Sequence, residues 1–144
     1  MSRSPEQPEP ITARMVKKID SCSNGLKEYE IKQLVEDTES LGRKLARDLK
    51  TNQIRKFLDA VKRLKVQPEK NVDFNVAIKN GLQLLRPQLA YAAAKQPNVE
   101  GIKDLRLVME AAIKKVNHPE DFTRFVQLIE SIIAYHKVEG GRDQ

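Results

Sequence analysis

Nine basic side chains fall between Arg43 and Lys65: Arg43, Lys44, Arg47, Lys50, Arg55, Lys56, Lys62, Arg63 and Lys65. Only Asp48 and Asp59 oppose them, so this window carries +7 while the whole chain of 144 residues carries +6, which leaves about −1 elsewhere. Guanidinium and ammonium groups gathered in one segment hold a polyanion by its charged oxygens. Such contacts position a phosphate backbone without reading its bases. A solvated helical face is the ordinary alternative for a charge run. Two features favour a partner instead: acidic residues are depleted here in an otherwise balanced chain, and the run crosses from one predicted helix into the next. No aromatics are interleaved with the charges, which argues against a single-strand stacking platform.

Other chemistry is poorly supplied. The only histidines are His118, beside Pro119 at a helix start, and His136, on the apolar face of the last predicted helix, where a packed histidine is the common case. No Gly-rich phosphate loop, metal-ligand spacing or nucleophile elbow occurs. The expectation is therefore no catalytic residue, no metal and no cofactor. Trp is absent and aromatics make up 5%, so nothing marks an aromatic-lined pocket. Cys22 has no partner for a disulfide, which fits a reducing compartment. The first ten residues are polar and proline-rich rather than signal-like, and no apolar run reaches the roughly 18 residues of a membrane span. A cytoplasmic protein with no membrane partner is expected.

Helices must position the basic segment. Residues 1–25 carry Pro5, Pro8 and Pro10 and end in Ser-Cys-Ser-Asn-Gly; they read as a mobile arm with a short helix around Thr12 to Ile19. Ile31, Leu34, Val35, Thr38, Gly42, Leu45 and Leu49 keep the spacing of one helical face, predicting a long helix over 27–49. Its acids come early and its bases late, which complements the helix dipole and accounts for part of the basic cluster. The charge beyond Thr51 lies outside that effect. Thr51 or Asn52 offers an N-cap for a second helix, with Ile54, Phe57, Leu58, Val61 and Leu64 inward and Pro68 as its end.

A third helix is predicted over 73–95, with Pro87 breaking or kinking it near Leu85–Arg86. A fourth covers 101–116. The fifth starts at His118-Pro119, a proline position that pre-sets the backbone, and Gly140-Gly141 ends it. No strand alternation or repeat is visible. The fold class is all-α: a single bundle of about five helices over 26–141, after the arm and before a tail at 142–144. One domain is what this length holds.

Three stretches carry a family resemblance. TNQIRKFLDAVKRL, Thr51 to Leu64, is similar to a Thr-Thr-Ser-Gln-Ile-Arg helix opening. LRPQLAYAAAK, Leu85 to Lys95, is similar to a Leu-Lys segment leading to Tyr-Ala or Tyr-Glu and then Ala-Gly-Arg. FTRFVQLIESIIAYHKVEGG, Phe122 to Gly141, is similar to a closing Phe-Glu-Ala-Ile-Val-Ala-Tyr-His segment. In that order they resemble the small subunit of the type III-A CRISPR interference complex, the Csm complex. Asn52 stands where the family has a hydroxyl residue, and Ala94-Lys95 where Gly-Arg is common.

The resemblance implies a five-helix bundle, stacked in several copies as a filament within a ribonucleoprotein for antiviral defence. It implies contact with the backbone of the guide RNA–target RNA duplex, with other copies of itself and with the large and backbone subunits, to which the cleavage chemistry belongs. Arg55 of the Gln-Ile-Arg motif is the leading RNA-contact candidate, followed by Arg86 and Lys95. Arg47, Lys50, Lys56 and Arg63 follow from charge alone. The alternative is a helical protein–protein adaptor whose basic face docks an acidic partner. A helix-turn-helix DNA reader fits poorly, since no predicted helix carries the Asn, Gln and Arg set that reads base edges.

Overall fold

A computed structural model describes residues 10–65 and 75–140. Six α-helices lie among them: α1 (Ile11–Asp20), α2 (Ile31–Leu45), α3 (Thr51–Lys65), α4 (Asn80–Lys95), α5 (Glu100–Ile113) and α6 (Pro119–Val138). A 3-10 turn at Leu26–Glu28 precedes α2, and a π-helical turn at Asn75–Lys79 leads into α4. No strand occurs among the described residues, and none of their helices is long and apolar enough to cross a membrane.

The pair α2 and α6 forms the spine of the bundle. The Thr38 and Ser131 hydroxyls share a hydrogen bond, and one turn later Gly42 lies against the backbone of Tyr135 and His136. The two helices therefore run in the same direction. A Cβ on Gly42 would come within 2.8 Å of the His136 nitrogen, so only glycine permits this approach without moving a helix. α3 turns back across α6. α4 and α5 form an antiparallel hairpin, tied by Lys79 to Asn117 at one end and Arg86 to Glu110 further along.

The helix around Thr12 to Ile19 forms, but it is not part of a mobile arm. Ile11, Met15 and Ile19 of α1 are buried, chiefly against α5. Cys22, Leu26 and Tyr29 continue the same core. The reason is apolar spacing on a short amphipathic helix, whose burial outweighs the turn-rich sequence beyond it. Asp37 of α2 fastens this layer. Its buried carboxylate accepts from the Tyr29 hydroxyl at 2.6 Å, from Lys18 at 3.3 Å and from Gln33 at 3.0 Å. Burial and the Asp37 carboxylate together push the Tyr29 hydroxyl far above its usual pKa.

The predicted helix over 27–49 is shorter than its periodicity implied. Tyr29 and Glu30 are extended, because Tyr29 turns inward to reach Asp37, and α2 begins only at Ile31. Its buried face is Leu34, Asp37, Thr38, Leu41, Gly42 and Leu45, whereas Ile31 and Val35 stay exposed. Pro87 sits inside α4 without ending it; the irregular turn comes earlier, at Asn75–Lys79. α5 spans 100–113 rather than 101–116, although Val116 is still buried. Pro68, Asp73 and Phe74, expected at helix ends, lie outside the described residues, as do residues 1–9 and 141–144.

Two carboxylates set helix starts, one from afar and one locally. Asp48 accepts from the backbone N–H groups of Glu100 (2.8 Å) and Gly101 (3.0 Å), satisfying two donors that the first turn of α5 leaves open. Asp121, in the first turn of α6 itself, accepts from the N–H groups of Asn117 and His118 just before that helix and from the distant N–H of Lys27. Asp48, one of two acids in the basic window, is thus committed to holding α5.

Candidate nucleic-acid interface

The junction between α2 and α3 fixes where the basic helix points. Thr51 begins α3, and its hydroxyl is turned towards α6. It is fully buried and lies 3.0 Å from Nδ1 of His136, while Nε2 of that ring meets the Leu49 carbonyl. A carbonyl only accepts, so Nε2 carries a proton, and in the neutral ring Nδ1 accepts from Thr51. His136 is therefore a buried clamp that seats the chain reversal against α6. On the rim, the side-chain oxygen of Gln53 accepts from the Lys50 N–H at 3.4 Å.

With α3 seated, helical geometry distributes its cations. Ile54, Phe57, Leu58 and Val61 are buried, so the opposite arc faces solvent. That arc runs from Lys62 on the α6 side, through Arg55, Asp59 and Arg63, to Lys56 on the α4 side. Lys62 pairs with Glu130 of α6 at 3.3 Å. Asp59 lies one turn from both Arg55 and Arg63 and forms an ion pair with neither. Arg55, Lys56, Arg63 and Lys50 are exposed and have no ion-pair partner among the described residues.

Other members of the basic window are spent within the fold. Arg43 pairs with Glu139 at 3.4 Å and Lys44 with Asp104 at 3.3 Å. Arg47 is exposed, but it shares a shallow depression with Glu100 and Asp104. The charge segment seen in the sequence is thus divided by its spatial neighbours. Its end on α2 is offset by acids from α5 and α6. Its continuation on α3 is largely unopposed.

The two candidates on α4 separate in the same way. Arg86 faces α5, half-buried, with Nε 3.2 Å from Glu110 and a second bond to Gln83. Glu110 also takes Arg106 at 2.7 Å. Burial works against ionisation of Glu110, yet the two guanidiniums outweigh it and hold its carboxyl below the ordinary range. Arg86 is therefore a structural cation. Lys95 points the other way, its ammonium 5.4 Å from the centre of the Tyr91 ring.

Lys95, Tyr91 and Gln88 follow helical spacing along the α4 edge that faces α3. There they meet Gln53 and Lys56 across a groove of about 280 Å³ floored by Phe57, Ala92 and Ile102. Further along the same pair of helices, Gly81 lets Leu64 lie directly on the α4 backbone. The structure thus brings Lys56 and Lys95 together, with Lys50, Arg55 and Arg63 on the adjoining face. It sets Arg47 and Arg86 apart. Sequence reasoning missed Gln53, Gln88 and the aromatic contribution of Tyr91, since linear spacing cannot show that α4 lies beside α3. The two resembling motifs that line this groove were the available signal.

His136 is enclosed, and Nδ1 of His118 lies 3.6 Å from Asp121 at the α6 start. Burial raises the Cys22 thiol pKa, which disfavours a thiolate. The described residues contain no group of three or more His, Cys, Asp or Glu able to hold a metal.

Residues 28–142 match the family model described as Csm2 Type III-A. A Streptococcus thermophilus protein described as "CRISPR system Cms protein Csm2" is 33% identical over 95 residues, covering 66% of this chain and 76% of that protein. No solved structure matches the chain.

Proposed function

This chain belongs to the Csm2 family, a structural subunit of the type III-A CRISPR complex, and from that membership we propose that it is a non-catalytic subunit gripping RNA phosphates with the α3 face. The guide RNA–target RNA duplex is the RNA in question, and other copies of the chain and the large and backbone subunits are its protein partners. Copies stack as a filament along that duplex. Sequence specificity comes from guide pairing, so the protein needs only backbone contacts.

The observation that carries this reading is the segregation of charge. Arg43, Lys44, Lys62 and Arg86 are matched by acids of the same fold, while Lys50, Arg55, Lys56 and Arg63 face solvent together. Exposed cations with no ion-pair partner among the described residues are free to exchange their counterions for phosphates. Lys95, on the facing helix, extends the surface across the groove.

Filter binding of the purified chain to generic single-stranded RNA over a salt series tests it. About four phosphate contacts give a log–log salt slope near −3. An RNA affinity that is unmeasurable at low salt, with retained binding to an acidic subunit of the complex, would replace this reading by the adaptor alternative.

A further inference from the structure

We propose that the groove between α3 and α4 is a nucleotide site, which takes one unpaired base against Tyr91 and the adjoining phosphate between Lys56 and Lys95. This deepens the RNA-binding reading and rests on it for the source of the nucleotide. Backbone tracking needs cations alone. The groove holds a different set of groups.

Tyr91 keeps 66% of its surface exposed although it is a large aromatic on a helix with an apolar side available for burial. An aromatic ring held open beside two ammonium groups offers a stacking face of the kind single-stranded nucleic acids use. Lys95 at 5.4 Å from the ring centre already occupies a cation–π position, which orients its charge over the same space. Lys56 supplies a second cation from the opposite wall.

The polar lining completes the chemistry. Gln53 and Gln88 place side-chain amides on the two walls, and Gln96 adds a third near the mouth. An amide presents both a donor and an acceptor, the pair needed along the edge of a nucleobase. The floor of Phe57, Ala92 and Ile102 is apolar, matching the face of a base rather than a sugar or a phosphate. At about 280 Å³ the space lies at the small end of ligand sites, suited to one nucleotide unit and too small for a duplex. Glu100 and Asp104 of α5 line a separate depression with Arg47.

The test uses the full chain and three probes: an adenosine oligoribonucleotide, the same strand lacking its bases, and free adenosine monophosphate. The site predicts tighter binding of the base-bearing strand than of the abasic one. Tyr91→Leu should weaken only the base-bearing strand, by about five- to a hundredfold, the range of one lost base–aromatic stack. Tyr91→Phe should restore it, and circular dichroism should show unchanged helicity for both variants, since the ring is exposed. Competition by the free mononucleotide would identify soluble nucleotide as a second source; binding of the strand alone would assign the site to RNA.

Equal affinity for base-bearing and abasic strands, unaltered in Tyr91→Leu, would overturn the nucleotide site while leaving the phosphate grip intact. Loss of all strand binding in the wild-type chain would overturn the RNA reading itself. In that case direct mononucleotide binding sensitive to Tyr91→Leu would still support the groove.

Discussion

Arg86 and Lys95 occupy the same helix and face different neighbours. Towards α5, Arg86 enters a tight group with Glu110 and Arg106, where one carboxylate serves two guanidiniums and its pKa is lowered. Towards α3, Lys95 meets another lysine, a tyrosine and glutamines, and Lys50, Arg55 and Arg63 close by have no ion-pair partner among the described residues. Sequence alone ranks the two residues equally. Their neighbours decide that one stabilises the fold and the other is available for an outside partner. Exposed ion pairs contribute only a fraction of a kcal/mol each, so the paired side holds geometry more than energy. On the other side the cost is mutual repulsion, which bound phosphates would relieve.

Breaking the contrast between these regions should have its largest effect on RNA affinity. Replacing Lys50, Arg55, Lys56 and Arg63 together by Gln should flatten the salt slope by about 3, the value for four lost contacts. The matched set Arg43, Lys44, Lys62 and Arg86 changed to Gln removes the same formal charge. It should alter the slope by less than about 1 if contacts rather than net charge govern binding. Salt-series filter binding on both proteins measures the difference, and equal slopes would erase the distinction between the regions.

The clamp that aims α3 gives the next effect. His136→Ala strands the buried Leu49 carbonyl and Thr51 hydroxyl, each costing about 1–3 kcal/mol when unsatisfied. Urea denaturation should show a lower midpoint, and RNA affinity should fall although no cation is lost. Gly42→Ala should destabilise by about 1–3 kcal/mol, the cost of overpacking, because its Cβ meets the α6 backbone. A midpoint unchanged from wild type would mean that α2 and α6 can separate freely.

Smaller changes sharpen the contrast. Asp59→Asn removes the one acid among Arg55, Lys56 and Arg63 and should strengthen RNA binding a few-fold at low salt, an effect that fades as salt screens it. Glu110 reports on the paired side through pH. Its folded pKa is lowered, so it contributes stability above its ordinary value of 4.5 that is lost as pH falls through the folded value. Glu110→Gln should therefore flatten the stability curve in that acid range and leave RNA binding near wild type.

Much of this arrangement was legible in the residues. Helical class followed from apolar periodicity, the start of α6 from Pro119, and the inward place of His136 from its spacing with Ile129 and Ile132. Packing between distant elements was not. Periodicity ranked Ile31 and Val35 with the core because it cannot see which way α2 is rotated, and it passed over Asp37, whose burial depends on Tyr29 and Lys18 arriving from elsewhere. The arm expected through residue 25 turned out to hold α1 in the core, since α5 offers it an apolar surface that no local pattern displays. The charge segment was legible as a run, but not how distant residues divide it. Glu130, Glu139 and Asp104, all far along the chain, neutralise its flanks. For the same reason Lys56 and Lys95 looked unrelated until α4 was placed beside α3.

Lysine modification with and without bound RNA addresses the central claim most directly, because it reads each amine separately. Acetylation of the assembled complex, quantified by peptide mass spectrometry, should show Lys50, Lys56 and Lys95 protected when RNA is present. Lys44, Lys62 and Lys79, held by Asp104, Glu130 and Asn117, should react equally in both states. Protection of that second group, with Lys50, Lys56 and Lys95 unchanged, would contradict the account.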